Sequence, residues 1–257
     1  MSRLLPVKLG KEPLIDVIFE VRFESQIAAG SLLPGLLLPF ITEQPTIETL
    51  PASQLPIEIR NGDDALRHVH LTRMSWGTKF SAAFGDRTLA VICRMPYAGW
   101  GEYKQAIMMV MECLRGARFI QKVQRYSLKY VDFFDSKSST VSGFERFNID
   151  LRIGSQQIDK EITNLRCEIP DGDFIHGVTV LTAAYVEAEN HPRREGSIFE
   201  VDSLCLQDFT NVPEFLDQLP NLLDAIHQSN KACFFSCLSE KGLNDLEPIY
   251  DSRSFSS

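Results

Sequence analysis

The chain has 257 residues, 44% of them hydrophobic and 23% charged, the composition of an ordinary globular protein long enough to bury a large core. No run of 18 apolar residues is present, so no membrane span is expected, and the opening stretch MSRLLPVKLGKEP lacks the continuous apolar core of a signal peptide. The net charge of −8 is uneven: Ser197–Asp251 holds ten acidic and two basic residues, which argues against nucleic acid as a partner and suits a basic protein partner.

Residues 13–23, PLIDVIFEVRF, alternate with period two. They predict a strand with Ile15, Val17, Phe19, Val21 and Phe23 on one face and Asp16, Glu20 and Arg22 on the other. Residues 26–41 are apolar but broken by Pro34, Gly35 and Pro39, so only short helical turns are expected there. Residues 42–55, with Pro45 and Pro51 among Thr, Glu and Ser, read as a loop. Three strands are expected near 56–60, 66–76 and 78–94, with turns at Trp76–Thr78 and Gly85–Asp86. Tyr103, Ile107, Val110, Met111 and Leu114 carry the spacing of a buried stripe and predict a helix over about 99–116, stopped by Gly116.

A second alternating strand, YSLKYVDFF, begins at Tyr126 and gives way to the loop SKSSTVSG at 136–143. Further strands are expected near 147–153, 158–169, 174–189 and 197–207. PDGD at 170–173 should close a hairpin, and NHPRREG at 190–196 a longer one. A last helix is expected over about 212–240, with Leu219, Leu223, Ile226, Cys233 and Cys237 inward and Pro220 either kinking it or starting it anew. The terminal SRSFSS reads as a short disordered tail.

The two alternating strands lie about 111 residues apart and the two helices about 113. These matched offsets predict an α+β fold built by internal duplication, with half-domains at 1–122 and 123–257. Each half is expected to hold a mostly antiparallel sheet and a long C-terminal helix, the two twisted sheets either continuous or paired across a pseudo-twofold axis, with helices covering one face.

The order of motifs resembles a sporadically distributed, uncharacterised bacterial family of proteins of ~250–270 residues. The resemblance is carried by Pro13–Phe23 at the opening, and by Tyr97, Trp100 and Glu102 at the start of the first helix. It continues through Arg125, Leu128, Lys129, Tyr130, Val131 and Asp132 in the second strand, and Asp202, His227 and Phe234 near the end. Asp132 stands where the family usually has Asn. The resemblance implies the fold, and a bacterial accessory role of the mobile or defence kind, toxin–antitoxin systems included. It implies no activity.

No GxGxxG, GxxxxGK[ST], HExxH, GxSxG or paired CxxC motif occurs, which removes the commonest enzyme signatures. The basic run Arg115, Arg118, Lys122, Arg125 and Lys129 is the candidate anion site, together with Glu20 and Arg22 on the first strand. Ion pairing across neighbouring strands is the plainer reading of those charges. His68 and His70, two apart in an expected strand, are the nearest approach to a metal pair, but no third ligand accompanies them. Cys233 and Cys237 lie one helical turn apart and read as core. Six cysteines without paired spacing point to a reducing compartment, most simply the cytoplasm. The leading expectation is a non-enzymatic protein without cofactor that docks a protein partner, with a homodimer allowed. The alternative is a nucleotide- or phosphate-binding domain, enzymatic or not, with its site in a groove between the halves.

Overall fold

In the computed structural model, which describes residues 5–139, 141, 143–159, 161–187 and 193–251, Leu14–Ser25 forms the first long strand, β1. It buries Val17, Phe19, Val21 and Phe23 completely, as the alternation predicts. A bulge between Leu14 and Asp16 shifts the register, so Leu14 and not Ile15 packs against the core. A short edge strand (β2, Thr46–Thr49) follows, then β3 (Thr72–Trp76), β4 (Phe80–Phe84), β5 (Thr88–Cys93) and helix α1 (Trp100–Glu112). Strand β6 (Ile120–Asp135) opens the second half, followed by β7 (Asn164–Asp171), β8 (Phe174–Val186), β9 (Arg194–Cys205) and helix α2 (Val212–Cys237).

The nine strands form one antiparallel sheet in the order β7-β8-β9-β6-β1-β5-β4-β3-β2, so the fold is α+β. β1 and β6 pair at its centre, with Val17 opposite Tyr130 and Phe19 opposite Leu128. On either side the chain follows the same path: β1-β5-β4-β3 on one, β6-β9-β8-β7 on the other, each meander ending in a helix.

Both helices lie on the face that buries Phe19 and Leu128. The larger core cluster joins β1, β4, β5 and α1 to Tyr126 and Leu128 of β6 and to Phe215, Leu219, Leu223 and Ile226 of α2. A second cluster packs Phe199, Val201, Val178 and Val180 against Phe234, Phe235 and Leu238 near the end of α2. α2 thus bridges both clusters, and the cores do not divide at residue 122. Lys8–Leu9 pairs with Pro248–Ile249, tying an N-terminal strap to the other end of the chain. No described helix is long and apolar enough to cross a membrane.

Several local expectations are corrected. Residues 42–55 hold β2 and a 3-10 turn at Pro51–Gln54. The strand expected at 56–60 is the short helix Ile57–Gly62, led in by Pro56. The strand expected at 66–76 begins only at Thr72, which leaves His68 and His70 in irregular chain. Near 147–169, regular pairing is confined to Arg152–Ile153, Gln156–Gln157 and β7. Pro220 does not start the helix anew: α2 is one element from Val212 to Cys237 with Pro220 inside it. The hairpin at Gly172–Asp173 forms as expected, with Gly172 at φ +58° where a glycine is favoured. The loop expected at 190–196 lies partly, and the SRSFSS tail wholly, outside the described residues.

Candidate functional site

A cleft of about 500 Å³ opens on the helical side of the sheet, where the two halves meet. Four separate segments line it: the strap running into the start of β1 (Val7, Lys8, Glu12, Leu14), the turn into α1 (Tyr97, Trp100), the end of β6 (Tyr130, Asp132) and α2 (His227, Asn230, Lys231, Phe234). The topology explains the meeting. Leu14 and Asp132 are cross-strand partners at the β1 bulge, and α2 lies across β6 and β9. Gly99, at φ +86°, turns the chain into α1 and sets Trp100 at its first turn.

A row of polar groups runs along the cleft. The Tyr97 and Tyr130 hydroxyls are 3.2 Å apart, and Tyr130 lies 3.1 Å from His227 Nδ1. The indole of Trp100 stacks on the His227 ring at 4.0 Å and donates from Nε1 to Asp224, which also accepts from Lys104 at 2.7 Å. Burial, reinforced by the Lys231 ammonium, holds His227 down at about 4 against the opposing pull of Asp224. The imidazole is therefore neutral near pH 7, and its tautomer sets the direction of the hydrogen bonds along the row. Burial lifts the Tyr97 phenol to about 12 and Tyr130 well above its ordinary range. Neither phenol ionises at neutral pH, so the row offers hydrogen bonds rather than a ready base.

Asp132 sits between Leu14 and Phe199 in the sheet and is 4% exposed. Its carboxyl makes no hydrogen bond or ion pair among the described residues. Burial, with Glu12 adding its charge, pushes it up to about 8. Nearby, Asn230 is a clamp: its Nδ2 donates to Leu128 O (3.1 Å), Val201 O (2.9 Å) and Ser203 Oγ (2.8 Å), fixing α2 onto β6 and β9. Ser203 Oγ lies 2.7 Å from His176 Nδ1, and His176 Nε2 meets Ser229 at 3.1 Å and Asp171 at 3.5 Å. This has the composition of a nucleophilic triad, but Ser203 is completely buried and does not line the cleft. It is a structural network holding α2 to the sheet.

The residues singled out from sequence fall elsewhere. Glu20, Arg22, Lys122, Arg125 and Lys129 lie on the face of the sheet opposite α1 and α2. Glu20 is a hub, 2.8 Å from Arg22, 3.5 Å from Arg125 and 3.6 Å from His70. Lys122 pairs with Glu24 and Asp208, and Lys129 with Glu200. Across this face acids and bases alternate from strand to strand, the cross-strand ion pairing that was the plainer expectation. Asp202, raised by burial against the pull of Lys129 and Arg125, keeps one oxygen without a partner there. Arg115 is apart from the others, at the end of α1, held by Glu112 and Asp217, and Arg118 is exposed nearby. The basic run is therefore not one patch. His68 and His70 stand near Glu20 and Arg22. Burial holds His68 at about 4 and lowers His70 as well, and no group of three metal-ligating side chains occurs among the described residues. Cys233 and Cys237 are half-buried against the second core cluster.

Residue identity alone pointed to none of the cleft groups as a site. Their signal lay in the motifs that carry the family resemblance, since Tyr97, Trp100, Tyr130, Asp132, His227 and Phe234 all line the same cleft. The chain matches no protein-family model, and no curated protein is similar to it.

Proposed function

We propose that this protein binds a small organic ligand in the cleft between its two halves. One observation carries the reading: four segments, distant in sequence, place aromatic walls and a few convergent polar groups around about 500 Å³. The site departs from the sequence-based alternative in its chemistry, because the basic run lies outside the cleft and a carboxyl lies inside. With both phenols protonated and His227 neutral, the row is suited to recognition by hydrogen bonds. A thermal-shift screen against a metabolite library tests this. Stabilisation by ligands that protect Trp100 from quenching is expected, and a library without effect on either signal contradicts it.

A second reading, docking of a protein partner, is supported by a different observation. Ile27, Leu32, Leu38 and Phe40 are all exposed within one short stretch of chain. The acidic surface of α2 supports it less, because Asp217 is paired with Arg115, just past α1, and Asp224 with Lys104 of α1. Mass measurement of the protein isolated with its native partners distinguishes a complex or homodimer from a monomer. A cytoplasmic setting accords with six free thiols, and on our reading the matched strand paths of the halves reflect descent from one copied unit in the family the motifs resemble.

A further inference from the structure

We infer that the cleft selects a cationic ligand: a compact organic amine with an aromatic or apolar body, its ammonium group seated on Asp132. This rests on the reading of the cleft as a ligand site and names the chemistry of that site. Asp132 is a buried polar group of the cleft, 4% exposed, and nothing among the described residues satisfies its carboxyl. A buried carboxylate without a partner is costly, and an incoming ammonium supplies the charge and the donors it lacks. The charged neighbour that bears on it is Glu12 of the strap, another carboxyl, so the local field favours a cation. The walls agree. Trp100, Tyr97, Tyr130, Phe234 and Leu14 present aromatic and apolar surface of the kind that holds the body of an amine and adds cation–π attraction.

Two lysines also line the cleft, and neither takes the place of the ligand. Lys231 acts on His227 and Lys8 on Glu12, and neither bears on Asp132. The titratable groups around Asp132 are thus Glu12 and Lys8 from the strap, Tyr97 before α1, Tyr130 on its own strand, and His227 and Lys231 from α2. Its neighbours from β1 and β9, Leu14 and Phe199, do not titrate. Seating an ammonium ion requires Asp132 to give up its proton to solvent, so binding of an amine releases a proton and tightens as pH rises towards about 8.

The test compares three probes of one shape: 2-phenylethylamine, 2-phenylethanol and 3-phenylpropionate. Binding to the full chain is followed by calorimetry and by Trp100 emission in a Trp76→Phe background. The amine is expected to bind at least about tenfold more tightly than the alcohol or the acid, and to gain up to about tenfold per pH unit below 8. Asp132→Asn should abolish the preference for the amine over the alcohol. Equal binding of all three, or preference for the acid, overturns the cation inference while leaving the cleft a ligand site. No response to any probe at about 10 mM contradicts both. The comparison of probes on the chain with Asp132 intact does not depend on the variant folding.

Discussion

Asp132 shows how one side chain sets the behaviour of a site. Its carboxyl ordinarily titrates at 3.8 and is lifted to about 8 by burial, with Glu12 adding. Between these values the unfolded chain is ionised there while the folded chain keeps its proton. The folded state binds more protons, so this group makes stability fall as pH rises from 4 to 8. His227 acts in the opposite sense. Its pKa falls from 6.5 to about 4, chiefly by burial, so the folded chain loses stability as pH drops below 6.5. His68 adds to that acid-side loss for the same main reason. Stability should therefore peak near pH 6 to 7 and decline on the alkaline side through Asp132. Asp132→Asn removes the alkaline decline and should raise stability at pH 8 by roughly 5 kcal/mol. Urea midpoints measured across this range check it, and a variant with the same alkaline slope as the parent would show that Asp132 ionises freely in the folded chain.

At the level of elements, the long helix α2 is held by more than its apolar stripe. Asn230 interrupts that stripe and is 2% exposed, with its amide on two strand carbonyls and Ser203. Asn230→Ala leaves buried acceptors without a donor and should cost about 2–3 kcal/mol, read as a lower urea midpoint at unchanged slope. Phe19→Ala, in the middle of β1, should cost about 3–5 kcal/mol through the cavity it leaves. The sequence disclosed β1, α1 and α2 because each alternates or repeats over many residues. It did not disclose Asn230 or Ser203, since apolar periodicity is blind to a polar residue buried on the same face. The bulge at Leu14 was hidden for a similar reason. A period-two pattern places Ile15 inward, and only the pairing with β6 shows the shift that brings Leu14 to the cleft. Short elements were legible least. Ile57–Gly62 lies between Pro56 and Asp63, where strand and helix preferences are equally weak. The charged sheet face was legible in composition but not in role, because the pairing that neutralises Glu20 and Lys129 comes from strands far apart in the chain.

Taken whole, the molecule is one sheet with a shared helical layer. Because α2 packs against both core clusters, and the strap closes onto the C-terminal end, neither half is independent. A single cooperative transition is expected, coincident by far-UV circular dichroism and by tryptophan emission, and two separated transitions would contradict it. The same architecture makes the cleft, since removing either half removes two or more of its walls. The charged face on the other side satisfies most of its own groups through ion pairs, and the cleft instead keeps an unpaired carboxyl beside aromatic surface. The most direct test is to soak crystals of the protein with a library of small fragments that includes primary amines. Bound fragments are expected to cluster between Trp100, Tyr130 and Asp132, with amine groups at the carboxyl of Asp132. Fragments that occupy only the charged sheet face and leave the cleft empty would contradict the account.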